Sequence, residues 1–347
     1  MYIGVIDIAS LKDIAREARV SVTTVSLVLN GRAEELRIKE ETQKKVMDAV
    51  KKLSYRPNLA ARKLREENPQ RAPVIILFWN ANSSGLIIER QLRGIQEFLD
   101  YKKDEFDLVI HPYKNDELYK SEYIFKSNSM YDGVLVTGGS EADHNFIHSI
   151  EIKIPIVILG RESDRYCFFT SDEYNAGFQV AELFHNRGHK SAGLVVADIK
   201  GIYGDDRRNG FLQGCKKYGI SLEPENIITC KYAIQKGVNA VENIINNGKM
   251  PTAIFFTPEI LAISGLKIFH DHGISIPSDV EIVSYGDTAM ANYTIPTLTA
   301  IRSPMEEMTR DGVELLMDII HKRVDVPIHR YYETSLVVRE SCGGFIR

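Results

Sequence analysis

The 347-residue sequence has few cysteines, no long apolar run and no excess of basic residues. Its four cysteines, Cys167, Cys215, Cys230 and Cys342, show no CxxC or other metal-ligand spacing, so we expect reduced packing residues and no metal site. No stretch approaches the roughly 20 apolar residues of a membrane-spanning helix, and the first residues lack the basic start and apolar length of a signal peptide. We therefore expect a cytoplasmic protein.

Motifs of catalysis are also lacking. Residues 136–140 form a glycine-rich stretch after a predicted strand, but they have neither the GxGxxG spacing nor the lysine of a phosphate-binding loop. No GxSxG or other triad signature occurs. His270 and His272 would point to different faces of a helix end, and Asp205 with Asp206 is more typical of a helix cap than of an acid–base pair. The sequence predicts no catalytic residues and argues against an enzyme.

Charge is distributed unevenly along the chain. The whole chain has 43 Lys and Arg residues against 47 Asp and Glu residues, which gives a net charge of −4. Residues 1–70 contain 14 of the basic and 10 of the acidic residues, so this part carries +4 and the remainder carries −8. A polyanion would therefore bind the N-terminal part, and the remaining residues suffice for a two-lobed α/β body.

The segment from residue 10 to residue 64 predicts three short helices followed by a hinge. In the first helix Ser10 and Asp13 fit a capping box. Ser21 can cap the second helix, VTTVSLVLN, and a third helix is predicted over about 40–53. Two short helices joined by a tight turn are typical of a helix-turn-helix unit, which places its second helix in a DNA groove.

The second helix is the candidate reader of DNA bases. Val25 and Val28 would pack inward, which leaves the other positions of the helix for the solvent or the groove. The predicted DNA-binding residues of this helix and its ends are Ser21, Val22, Thr23, Thr24, Ser26, Leu27 and Asn30.

This segment resembles the DNA-binding headpiece of the LacI/GalR family of bacterial transcription regulators. The family pattern KDIA, VS, TVS, VLN, YRPN, AR and L is present almost intact, with the hinge sequence at the right distance. In that family the hinge helix forms on DNA, pairs with its dimer mate and inserts a leucine into the minor groove. The resemblance implies this role for Leu64 and further DNA contacts for Asn58, Ala61, Arg62 and Arg65.

The DNA reader departs from the family pattern at two positions. Leu27 replaces an arginine of many relatives, and a leucine cannot form the bidentate contact with guanine. Val22 and Thr23 occupy the positions that set operator preference, and both can touch a thymine methyl group. Arg19 replaces the glycine usual in the turn; if this residue has a positive φ, the cost is about 1 kcal/mol.

From residue 74 onward, apolar strand runs alternate with helical patterns. Continuous apolar runs between helices imply parallel strands covered on both faces, a doubly wound α/β fold with a ligand cleft outside the carboxyl ends of the strands. The predicted strands are 74–79, 107–113, 133–138, 155–160, 192–197, 252–257 and 280–285. The predicted helices are 86–101, 174–187, 206–218, 236–247, 259–272 and 305–321.

Over nearly its whole length this body resembles the periplasmic-binding-protein-like effector domain of the same family. DEYNAG near 172, RRNGF near 207 and IPTLTAIRSP near 295 are among the matching landmarks. The resemblance implies an all-α helix-turn-helix headpiece at 1–58, a hinge helix and linker at 59–72, and an effector-binding and dimerisation domain with two α/β lobes at 73–347. The first lobe is predicted at 73–160 and 304–325, and the second at 161–303 and 326–347.

The resemblance also implies a small-molecule effector and no cofactor. In relatives an arginine three residues before a Gly-aromatic pair binds sugar hydroxyls, and here this residue is Arg207. Tyr232 falls where many relatives have an aromatic platform for a sugar ring. The predicted effector-binding residues are Arg161, Asp172, Arg207, Tyr232, Glu259 and Asp287.

Several departures concern carboxylates that sugar-binding relatives have in the cleft. Gly160, followed by Arg161, and Gly286 stand at two acidic positions, and Pro258-Glu259 replaces Asn-Asp. Lost carboxylates remove acceptors for sugar hydroxyls, and Arg161 adds a positive charge. Two alternatives remain open: an anionic effector, such as a phosphorylated or acidic sugar, or a degenerate pocket.

We interpret the sequence as a homodimeric, ligand-responsive transcription regulator that represses a carbohydrate-use operon. Two headpieces related by a twofold axis would read both halves of a pseudo-palindromic operator. The alternatives are an activator or global regulator controlled by a protein partner, and a solute-binding protein without a regulatory role. A solute-binding protein would share the body but lack the headpiece.

Overall fold

The computed structural model forms two compact units, Met1–Arg71 and Ala72–Arg347. The structure describes residues 11–29, 33, 38–53, 72–83, 85–102, 105–126, 131–198 and 202–343. None of the helices in these residues combines the length and the apolar composition of a membrane-spanning segment. All four cysteines are free, and Cys167, Cys215 and Cys342 are buried, as expected for packing residues.

The first unit is a small helical core. Its described helices are α1 (Leu11–Ala18), α2 (Val22–Leu29) and α3 (Glu40–Lys52). Ile14, Val25 and Val46 are fully buried, one from each helix, because the apolar residues of each helix recur on one face. The Ser21 hydroxyl accepts a hydrogen bond from the Thr24 amide at 3.0 Å, so Ser21 caps α2 as predicted.

The turn between α1 and α2 has a left-handed residue. Arg19 has a φ of 53°, and the Val20 amide donates to the Ala15 carbonyl at 3.0 Å. Together with the hydrogen bond from the Arg19 amide to the Arg16 carbonyl at 3.4 Å, this is the pattern of a Schellman motif. The condition under which we expected a cost at Arg19, a positive φ, is therefore met, and the residue has a backbone conformation that favours glycine.

The described part of the second unit forms two six-stranded sheets. The strands are β1 (Val74–Asn80), β2 (Asp107–Tyr113), β3 (Gly133–Thr137), β4 (Ile156–Leu159), β5 (Cys167–Ser171), β6 (Gly193–Ala197), β7 (Ile227–Cys230), β8 (Ala253–Thr257), β9 (Glu281–Tyr285), β10 (Thr299–Arg302), β11 (His329–Tyr332) and β12 (Ser335–Val337). Their order is β11-β5-β4-β3-β1-β2 in the first sheet and β12-β10-β9-β8-β6-β7 in the second. All neighbouring strands are parallel except β12, which runs antiparallel to β10.

Helices cover both faces of each sheet. In β1, Ile75 and Leu77 belong to one apolar core, whereas Ile76 and Phe78 belong to the core on the opposite face. This two-sided burial explains why the strands are continuously apolar in sequence. The helices of this unit are α4 (Gly85–Lys102), α5 (Glu122–Phe125), α6 (Glu141–Ser149), α7 (Glu173–Asn186), α8 (Ile202–Tyr218), α9 (Ile234–Asn246), α10 (Glu259–Asp271) and α11 (Met305–Ile320), with short 3-10 turns at Leu118–Ser121, Pro224–Asn226, Ala289–Asn292 and Glu340–Cys342.

The sheet topology corrects the predicted boundaries between the lobes. We predicted that the first lobe ends at residue 160 and, after its return, at residue 325. Both boundaries are wrong, because β5 pairs with β4 and β11 pairs with β5 in the first sheet. The first lobe therefore extends through Ser171 and, on its return, through Tyr332. β5 mixes polar and apolar residues and β11 is an exposed edge strand, so neither has the continuous apolar pattern that identified the other strands.

Candidate functional site

The exposed side of α2 is the candidate DNA-reading surface. Ser21, Val22 and Thr23 are exposed, whereas Thr24, Ser26 and Leu27 are half-buried. The Ser21 and Thr24 hydroxyls also hydrogen-bond each other at 2.8 Å, so both are engaged at the start of the helix. Within the described part of the chain, the side chains of Val22 and Thr23 form no such hydrogen bond. The other predicted DNA contacts lie outside the described residues: Asn30, Asn58, Ala61, Arg62, Leu64 and Arg65.

A cavity of about 240 Å³ lies between the two lobes of the second unit. Residues at the carboxyl ends of strands from both sheets line it, including Asn80 and Thr137 from the first sheet and Thr257 and Tyr285 from the second. Two α/β lobes that meet in this way place their ligand cleft at these strand ends. The cavity therefore lies where the sequence predicted an effector.

Arg207, on α8, is a buried cation in the cavity wall. Its Nε and Nη2 donate to Oε2 of Glu173 at 3.0 and 2.6 Å, and its Nη1 donates to the Thr257 hydroxyl at 2.6 Å. Its guanidinium also stacks on the ring of Tyr285. These contacts hold Arg207 in one orientation, which is a property of a preformed binding group.

Glu173, the first residue of α7, balances the charge of Arg207. Its Oε1 accepts hydrogen bonds from the Ser171 hydroxyl and from the Tyr285 hydroxyl, both at 2.7 Å. Burial, and after it the charge of Glu173, raises the pKa of Tyr285, so this phenol remains a neutral donor. Sequence reasoning missed Glu173 and named its neighbour Asp172, although an acidic residue in the first turn of a helix that follows a strand end was a usable signal.

Arg90, on α4, brings a second guanidinium to the cavity from the first lobe. Its Nε donates to Oε1 of Glu306 at 2.8 Å, and its Nη2 donates both to Oε2 of Glu306 and to the Ser303 carbonyl. These hydrogen bonds connect α4 to Ser303 and Glu306, at the point where the chain returns to the first lobe. The sequence showed no sign of this role, because nothing local distinguishes Arg90 from a solvated helix arginine.

Glu259, the first residue of α10, is a buried carboxylate in the wall. The residue is only 2% exposed. The Thr288 amide lies 3.3 Å from each of its two oxygens. Burial raises the pKa of Glu259, and Asp287 adds to this effect, while the Thr288 hydrogen bonds and Arg90 oppose it.

The predicted effector residues divide into two groups. Arg207, Tyr232 and Glu259 line the cavity, whereas Arg161, Asp172 and Asp287 are not among its lining residues. The Arg161 Nη2 donates to the Gly139 carbonyl at 2.9 Å, behind the wall. Asp172 caps α7 by accepting from the Asn175 amide, and Asp287 forms an ion pair with Arg339 at 2.7 Å.

Two protein-family models match the chain. The model for bacterial regulatory proteins, lacI family, matches residues 10–58, and the model for a periplasmic binding protein-like domain matches residues 181–342. The chain has a lacI-family DNA-binding domain followed by a periplasmic-binding-protein-like domain. Members of this family are DNA-binding transcription regulators, so the predicted fold class and the interpretation as a regulator rather than an enzyme are confirmed.

Individual lacI-family proteins match along most of their length. The chain is 26% identical over 342 residues to the probable HTH-type transcriptional repressor ExuR of Bacillus subtilis (strain 168), covering 96% of this chain and 98% of the relative. A LacI family transcription regulator from Clostridium acetobutylicum is 28% identical, with a TM-score of 0.74 over 77% of this chain and 99% of that chain. The lac repressor dimer bound to operator and the anti-inducer ONPF is 18% identical, with a TM-score of 0.70 over 97% of this chain and 99% of that chain, which shows the fold alone.

Proposed function

We propose that this chain is an effector-controlled repressor that binds a pseudo-palindromic operator as a homodimer and regulates a carbohydrate-use operon. The observation that carries the proposal is the cavity at the strand ends of both lobes, in a chain that also has a helix-turn-helix unit. A ligand that contacts both lobes shifts their open–closed equilibrium through its differential affinity for the two states. Such a shift is the signal that an effector-controlled regulator requires.

The exposed face of α2 supports the operator and dimer parts of the proposal. One short helix reads few bases, and two headpieces related by a twofold axis read both halves of a palindrome. The lac repressor, which has the same fold, is a dimer on its operator in the structure compared above.

The cavity lining supports an oxygen-rich effector, a sugar or an anionic sugar derivative, with no cofactor. Side-chain amides and hydroxyls of Asn80, Gln91 and Thr137 provide donors and acceptors, and Tyr232 provides an aromatic face. The volume of about 240 Å³ lies just below the range of about 300–1,000 Å³ typical of drug-sized ligands. A monosaccharide-sized molecule suits this space.

The test measures fluorescence anisotropy of labelled DNA from upstream of the protein's own gene. We expect specific binding by the full chain, no binding after deletion of residues 1–71, and release by one of four pools: neutral sugars, amino sugars, sugar phosphates or sugar acids. Absence of specific binding by the full chain would contradict the proposal. Specific binding that no pool changes would favour a regulator controlled by a protein partner, and sedimentation of the DNA complex reports whether two chains bind.

A further inference from the structure

We propose that Glu259 selects the effector: its carboxylate accepts hydrogen bonds from a hydroxyl or ammonium group of a ligand that carries no negative charge. This inference rests on the proposed function, an effector bound in the cleft. Beyond that function, it specifies that the ligand carries no negative charge and that a hydroxyl or ammonium group of the ligand faces the second lobe.

The guanidinium groups of Arg90 and Arg207 are already balanced by carboxylates. Arg90 holds Glu306 through two N–H groups, and Arg207 holds Glu173 through two N–H groups. A phosphate or carboxylate of a ligand would have to share one of these cations with a buried carboxylate, and like charges at such distances repel strongly. The remaining N–H groups can still donate to neutral hydroxyl oxygens.

Glu259 is in a different position, because its carboxylate forms no ion pair among the described residues. The Thr288 amide, at 3.3 Å from both oxygens, lies just beyond the usual range of about 2.7–3.2 Å for an N–H···O hydrogen bond. The Thr288 side chain also hydrogen-bonds this carboxylate. An ionised carboxylate offers about four acceptor sites, so Thr288 leaves part of this capacity for a ligand. A buried charge of this kind is costly unless it finds a donor, and the cavity beside it is where a ligand would supply one.

Gly286 provides the space for the Glu259 side chain. It has a φ of 109°, and a Cβ placed there would lie 3.3 Å from the Glu259 Cβ and 3.6 Å from its Oε2. The contact with the Glu259 Cβ would be tight, so a side chain at 286 would press on the base of the Glu259 side chain, whereas the distance to Oε2 is that of an ordinary van der Waals contact. At this point the cavity wall therefore contains the carboxylate of Glu259, and residue 286, at the end of the neighbouring strand, contributes no side chain.

A structural role for Glu259 makes a different prediction. An acidic residue at a helix N-terminus favours the helix through the macrodipole, and Glu259 begins α10. If that were its main role, neutralising Glu259 would lower stability and leave ligand binding unchanged. If Glu259 selects the ligand, neutralising it lowers affinity without lowering the stability of the ligand-free protein.

The test uses thermal unfolding of the full chain with the four pools named above and with their individual members. The variants are Glu259→Gln and the control Glu225→Gln, which removes the same charge at an exposed position of the same lobe. We expect the neutral or the amino sugars to raise the melting temperature of the wild type and the control. We expect the sugar phosphates and sugar acids to have no effect, and Glu259→Gln to bind the active sugar about 10-fold more weakly or worse.

Each outcome decides between the possibilities. Stabilisation by a neutral sugar identifies a hydroxyl as the donor to Glu259, and stabilisation by amino sugars alone identifies an ammonium; both support the inference. Stabilisation by an anionic pool, or unchanged affinity in Glu259→Gln, overturns it while leaving the proposed function intact. No stabilisation by any pool overturns the sugar effector itself, and this inference with it. The comparison of pools on the wild type holds even if a variant does not fold.

Discussion

Arg207 and Tyr285 are stacked in the cavity wall, with the guanidinium carbon of Arg207 3.1 Å from the centre of the Tyr285 ring. Both side chains also donate to Glu173, so the three groups form one hydrogen-bonded unit. Glu173 begins α7 and Tyr285 ends β9 at the cavity, and Arg207 on α8 lies in the same wall. The cleft is thus preorganised around an internal ion pair.

Glu173→Gln should destabilise the protein strongly. The variant leaves Arg207 buried without its carboxylate, and breaking a buried pair in this way costs about 3–5 kcal/mol. Urea unfolding of the full chain measures the loss, with Glu182→Gln, an exposed position on the same helix, as the control. A loss below about 1 kcal/mol would mean that water or another acidic group replaces Glu173.

Ser21→Ala and Thr23→Ala should have opposite profiles. Ser21 caps α2, and loss of such a cap costs about 1 kcal/mol of stability. Thr23 is exposed, so its replacement should leave stability unchanged and alter the choice of operator base pairs. Thermal unfolding and binding to a set of single-base operator variants measure the two effects. Unaltered operator preference in Thr23→Ala would remove Thr23 from the reading surface.

Arg19→Gly should stabilise the first unit by about 1 kcal/mol, because glycine adopts a positive φ without the steric cost of a side chain. Arg16→Gly is the matched control: Arg16 lies within α1, where glycine costs about 1 kcal/mol. Hydrogen exchange of the amides in α1 and α2 reports both changes in the full chain. The prediction fails if the two variants shift protection in the same direction.

The stability of the ligand-free protein should depend on pH through Glu259. Burial raises the pKa of this carboxyl from its ordinary value of 4.5 in the folded protein. Its favourable contribution is therefore complete below that ordinary pKa and is lost as the pH rises through the folded pKa. Glu259→Gln, which imitates the protonated form, should gain stability relative to the wild type as the pH rises from about 4.5 towards neutrality. The test is to measure the melting temperatures of both proteins across this pH range. A difference between them that does not change with pH would contradict the prediction.

Local patterns in the sequence were sufficient for most elements. The strands that are covered on both faces, such as β1 and β8, appear as continuous apolar runs, and the helices between them were predicted to within a few residues of their ends. The cap at Ser21 and the left-handed Arg19 also follow from neighbours in the chain. Such features depend on contacts between residues close in sequence, so the sequence by itself determines them.

The composition of the cleft was decided by the tertiary structure. Arg207 could be located from its motif, but its partner Glu173 lies 34 positions away, and the pair Arg90 and Glu306 is separated by 216 positions. The positions of β5 and β11 in the first sheet likewise depend on pairing with distant strands. Which carboxylate neutralises which guanidinium, and which is left to face a ligand, depends on how the two sheets fold and meet, and no local pattern of charge or polarity encodes that meeting.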